Sequence, residues 1–155
     1  MLFRSEVSRT LAEWVGPPPQ PRVMLRVGLA GLHLRIAEAR PASAGDVDSR
    51  TVALLTLARD DALASRDLPV IGAWALGGAE LAAYRGDVGV ARELAALATR
   101  IGSHVESFFP PGYGERLIAT LGDEEQREPL LAAWRERPVA MATARIRELM
   151  GDLLA

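Results

Sequence analysis

The stretch GAWALGGAELAAYRGDVGVAREL, residues 72–94, joins two unlike halves. From Ile71 to Tyr84 the only charge is Glu80, and Gly72, Gly77 and Gly78 weaken helix propensity there. A helix that keeps no polar face is one with neighbours on several sides. Its glycines cost about 1 kcal/mol each in propensity and let neighbouring backbones approach closely. Gly86 suits the left-handed position after a helix end, and Asp87 suits the cap of the next helix. The stretch therefore predicts a central helix over about 69–85, with Pro69 in its first turn, then a tight turn and an amphipathic helix over about 88–102. In the second helix Val90, Ala91, Leu94, Leu97, Ala98 and Ile101 face a partner, and Arg92, Glu93, Thr99 and Arg100 face solvent.

Working outward, residues 2–15 form an amphipathic pattern with Leu2, Phe3, Val7, Leu11, Trp14 and Val15 on one face. The run Pro17-Pro18-Pro19-Gln20-Pro21 is a stiff spacer by composition. A helix over 22–40 is apolar over a wide arc and stops at Pro41. After the loop Ala42–Gly45, Asp46 or Asp48 can cap a helix reaching about Ala64. Phe108-Phe109-Pro110-Pro111-Gly112 is the one clear break, and three shorter helices follow over about 113–121, 124–136 (begun in effect at Pro129) and 138–154. No alternating strand pattern competes. The expectation is one all-α domain: an N-terminal helix and spacer over 1–21, two helical hairpins over 22–102, and a C-terminal helical cap over 103–155.

The composition supports helix and narrows the function. The 155 residues suffice for one core, and 49% are hydrophobic with few aromatics, so Ala, Leu and Val must fill it. A net charge of −2 gives no general attraction to nucleic acid or acidic membranes. All 18 basic residues are Arg, and Lys and Asn are absent, a bias that a high-GC genome produces. With no cysteine, disulfides, thiol catalysis and cysteine-ligated metals are excluded. The start of the chain lacks the apolar middle of a signal peptide, and the longest uncharged run, Leu68–Ala79, is too short to span a bilayer. These features predict a cytoplasmic protein.

Gly45-Asp46-Val47 and Gly86-Asp87-Val88 recur 41 residues apart. Each follows an apolar helix and opens an amphipathic one, which is the signature of a helical repeat. The second unit resembles a tetratricopeptide repeat. Trp74, Gly78 and Leu81 fall at the large, small and large positions of the first helix, and Gly86 and Ala91 at the turn and the small position of the second. It departs from that pattern at Gly77, where Leu is usual, at Leu81, where Tyr is usual, and in a turn one residue longer. Residues 50–137 are also similar to the C-terminal helical-repeat region of actinobacterial SARP-type and LuxR-type multidomain transcription regulators. GAELAAYRGDVGVARELAALATRIG (78–102) and ERLIATLGDEEQREPLLAAWRERP (115–138) carry that resemblance, including Leu121-Gly122 and Ala133-Trp134. The resemblance implies a sensing or protein-interaction module in transcription control, without the DNA-binding and nucleotide-hydrolysing domains of those regulators.

Catalytic signatures are missing from the sequence. A phosphate loop needs a Lys, Gly112-Tyr113-Gly114 lacks the third glycine and preceding strand of a dinucleotide fingerprint, and no Gly-x-Ser-x-Gly occurs. His104 and Glu106 are too few to hold a metal. Asp60-Asp61 fits an exposed helix face, and Asp123-Glu124-Glu125 a helix N-terminus. The chain is thus expected to have no catalytic residue, no cofactor and no metal. The candidate binding groove comprises His33, Arg35, Trp74, Glu80 and Tyr84, on the first helices of the two hairpins. Each has a plainer alternative: a locally satisfied His33, a core Trp74, a Glu80 paired with an Arg. The expected partner is a protein or peptide, with a small effector as a variant, and no direct nucleic-acid or membrane binding. A DNA-binding regulator would need an Arg-rich recognition helix after a tight turn, which does not stand out; an enzyme on a helical scaffold is the remaining rival. Two repeats leave an open end, which helix 2–15, the C-terminal helices or a second subunit in a homodimer would cover.

Overall fold

A computed structural model describes residues 19–40, 46–102, 112–122 and 124–155. The expectations for helix 2–15, the first prolines of the spacer, Pro41 and the loop after it, His104, Glu106, Phe108–Pro111 and Asp123 fall outside those residues. Among the described residues there are seven helices and no strand: α1 (Pro19–Ala39), α2 (Val47–Ser65), α3 (Leu68–Tyr84), α4 (Val88–Arg100), α5 (Tyr113–Thr120), α6 (Glu124–Arg135) and α7 (Val139–Leu154).

Two boundaries differ from the sequence expectation. α1 begins at Pro19, so Pro19-Gln20-Pro21 is its first turn and not an extended spacer. Proline is pre-set to helical φ, and the N–H it lacks would have no partner in a first turn. α6 begins at Glu124 and runs through Pro129.

The two Gly-Asp-Val turns also differ from one another. At the second, Gly86 takes φ 81°, and the Asp87 carboxylate accepts a hydrogen bond from Val90 N at 3.1 Å, capping α4. At the first, Asp46 itself is left-handed at φ 66° and makes no capping bond. Aspartate tolerates that conformation better than most residues, and Asp46 pairs instead with Arg50, one turn on.

α3 lies at the centre. Residues 70–79 are buried without interruption. A Cβ on Gly77 would stand 2.8 Å from Leu55 and 3.1 Å from Val27, so α1 and α2 press on that side. A Cβ on Gly78 would meet Met150 of α7 and Leu94 of α4. On the α5 side, a Cβ on Gly114 would lie 3.5 Å from Leu76. Five helices thus surround α3, and its lack of polar faces follows.

α1 and α2 run antiparallel. Arg22 and Arg26, near the start of α1, both reach Asp61 near the end of α2, each at 2.7 Å. Arg26 also donates to Leu57 O at 2.6 Å. Asp61 is therefore half-buried between two guanidinium groups, which corrects its expected place on an exposed face; Asp60 is exposed.

The C-terminal helices pack on α4. Ala91, Leu94, Leu97 and Ala98 are buried as expected. Arg92, Glu93, Thr99 and Arg100 are not the solvent face expected of them: all four are half-buried. Glu93 takes a two-pronged bond from Arg145 of α7, at 2.8 and 3.0 Å. Arg100 donates to Trp134 O and Arg137 O at the end of α6, each at 3.0 Å. Arg92 donates to Leu121 O just past α5 and to Gln126. Arg85 donates to Leu153 O in the last turn of α7 at 2.7 Å. Helix C-termini leave carbonyls without intrahelical partners. Here three arginines of the α3–α4 unit supply those partners to α5, α6 and α7.

Candidate functional site

Glu80 is the one acid on the buried helix, and its side chain is 11% exposed. It sits one helix away from Gly31 of α1, whose missing side chain makes room for it: a Cβ there would collide with the Glu80 carboxylate. One turn further along α1, Arg35 Nη1 donates to Glu80 Oε1 at 2.9 Å. The same oxygen accepts a hydrogen bond from the hydroxyl of Tyr113, the first residue of α5. A single carboxylate therefore ties α1, α3 and α5 together.

Burial sets the electrostatics of this cluster. It raises the Glu80 carboxyl above its ordinary 4.5, against the opposing effects of the Tyr113 hydrogen bond and the Arg35 charge, while Glu38 of α1 adds to the rise. The Tyr113 hydroxyl is raised by its own burial and by the negative charge and hydrogen bond of Glu80. Tyr113 thus stays a hydrogen-bond donor, and Glu80 accepts from it. The Arg35 side chain is 55% exposed, so the cluster presents a guanidinium outward and keeps its carboxylate inside.

The other candidate residues do not join this cluster. Trp74 is 1% exposed, and its indole N–H donates to Leu55 O at 2.9 Å. It is a core residue. His33 is half-buried and lies two residues from Arg35, about 200° around the helix, on the side from which Arg22 and Arg26 reach α2. Tyr84 is half-buried and packs against the core one turn after Glu80. Of the five, only Arg35 and Glu80 meet. Tyr113 was missed, and the sequence holds little to find it by: it follows a proline-rich break and begins a short helix.

A second cleft, of about 380 Å³, lies between α5 and α6, lined by Glu115, Arg116, Arg127, Glu128, Leu131 and Arg135 among others. Its charges are mixed, and Arg135 lies 3.3 Å from Glu128. Among the described residues no group of three or more His, Asp or Glu side chains is placed to hold a metal ion, and no helix is long and apolar enough to cross a membrane.

No protein-family model, curated protein or solved structure matches the chain.

Proposed function

We propose that this chain is a non-catalytic, tetratricopeptide-like module of antiparallel helical hairpins that binds a partner protein or peptide in transcription control. The observation that carries the reading is the Arg35–Glu80 pair. α1 and α3, the first helices of the two hairpins, lie side by side, and their polar residues meet on one shared side. In a hairpin array that side is the groove. A rigid apolar frame with one polar cluster on it suits recognition, because the frame holds the cluster without further ordering cost.

The test is recovery of a partner by the tagged chain from its source cells, followed by calorimetric titration of the identified partner. Arg35→Ala and Glu80→Gln should each weaken that binding at least tenfold while the chain stays folded. Unchanged affinity in both variants would reject the groove. Salt-dependent retention on DNA with no protein partner would favour a DNA-binding regulator instead.

A further inference from the structure

α1 carries two apolar stripes. Val23, Val27, Ala30, Leu34 and Ala37 are buried against α2 and α3. Leu25, Leu29, Leu32 and Ile36 follow one another at i, i+4, i+7 and i+11 on the opposite side. None of these four is buried, and Leu32 is 47% exposed. Gly28 lies beside them, and a Cβ on it would meet nothing within 4 Å. This is an open helix face with the spacing that another amphipathic helix fills.

Charge decides what kind of helix. At the C-terminal end of the stripe, Arg35, Ile36, Ala39 and Arg40 line a cleft of about 290 Å³. Arg35 turns its guanidinium outward while Glu80 stays inside. Over the whole of 19–40 the basic residues are Arg22, Arg26, Arg35 and Arg40, and Glu38 is the single acid. A two-fold pairing of this helix with a second copy would set the Arg35–Arg40 end against the Arg22–Arg26 end, like charge against like. A helix with acidic flanks meets the opposite condition.

We infer that the outer stripe of α1 docks an acidic amphipathic helix of a partner protein. Its apolar residues seat on Leu25, Leu29 and Leu32, and a Glu or Asp carboxylate enters the cleft between Arg35 and Arg40. The inference rests on the interaction-module reading and assigns it a face and a partner chemistry.

The test uses two labelled synthetic peptides and fluorescence anisotropy on the full chain. Both peptides carry Leu at i, i+4, i+7 and i+11; one has Glu on its flanks and the other Lys. The Glu peptide should bind roughly tenfold tighter or better, with an advantage that shrinks as salt is added. Leu32→Glu should abolish binding, and Arg40→Glu should remove the preference for the Glu peptide. Both positions are exposed, and Leu32→Ser with an unchanged melting curve guards against misfolding. Equal binding of the two peptides, or binding of neither, overturns the inference. So does a chain that elutes as a dimer and becomes a monomer on Leu32→Glu, which would give the face to a second copy. Recovery of a natural partner beside a failed peptide assay would reject this face and leave the interaction reading standing.

Discussion

Gly78→Ala isolates the close approach at the centre of the fold. An exposed helical glycine gains about 1 kcal/mol on becoming alanine. Gly151 of α7 is such a site, exposed and with nothing within 4 Å of an added Cβ. At Gly78 the added Cβ would run into Met150, with its Cε at 2.9 Å, and would stand 3.3 Å from Leu94 Cδ1. Met150 and Leu94 are both fully buried, so neither has open space to move into. Overpacking of this kind costs about 1–3 kcal/mol. Comparing Gly78→Ala with Gly151→Ala cancels the propensity gain and leaves that cost, or roughly 2–12 °C in Tm for a chain of this size. Urea unfolding followed by far-ultraviolet circular dichroism measures it. In a Met150→Ala background the penalty at Gly78 should disappear, because the obstructing sulfur is gone. If Gly78→Ala is as stable as Gly151→Ala with Met150 intact, the glycine is not needed for helix approach and the reasoning fails.

Trp74→Ala should cost about 3–5 kcal/mol in the same assay; a loss below 1 kcal/mol would show that the indole is not a core anchor. Arg100→Ala should leave the end of α6 without its two guanidinium bonds, lower stability by about 1 kcal/mol, and speed amide exchange in α6 more than in α1. Uniform exchange changes would argue against a local cap. The pH dependence has two opposing parts, readable from urea midpoints over a pH series. Arg85 bonds Asp48 through both carboxylate oxygens at 2.7 Å and holds its carboxyl below the ordinary 3.8. That contribution is present above 3.8 and lost as pH falls through the lower folded value, so Asp48→Asn should flatten the acid limb. Glu80 has a raised carboxyl, so its contribution is present in full below 4.5 and lost as pH rises through the folded value. Glu80→Gln should therefore gain on the wild type as pH rises above 4.5, and a variant that loses ground instead would show that burial is not the dominant influence on Glu80.

The helical character, the turn at Arg85-Gly86-Asp87 and the central place of α3 were legible because each rests on local chemistry. Left-handed glycine, an aspartate cap and a missing polar face all leave a mark within a few residues. What the sequence hid is tertiary. Arg92 and Arg100 follow the solvent-facing period of an amphipathic helix, and the period carries no sign that α5 and α6 will bring carbonyls to them. Asp61 looks like half of an exposed acid pair until Arg22 and Arg26 arrive from 35 or more residues away. The repeated Gly-Asp-Val misled for a related reason: three letters recur, but only the second aspartate takes up a capping geometry. At the candidate site, Arg35 and Glu80 could be named from their hairpin positions. Tyr113 could not, because its partner is 33 positions away.

The arginines that reach helix ends also bear on uniqueness. A core made largely of alanine and leucine is smooth, and helices on such a surface could slide by a turn with little change in buried area. A guanidinium held to a particular terminal carbonyl does not tolerate that slide, since one turn is about 5.4 Å. Arg85, Arg92 and Arg100 each mark one stopping point, for α7, α5 and α6 in turn. The three C-terminal helices are thus set in register by contacts that contribute modestly to stability, and a lysine, with its single point charge, could not reproduce the paired bonds of Arg100.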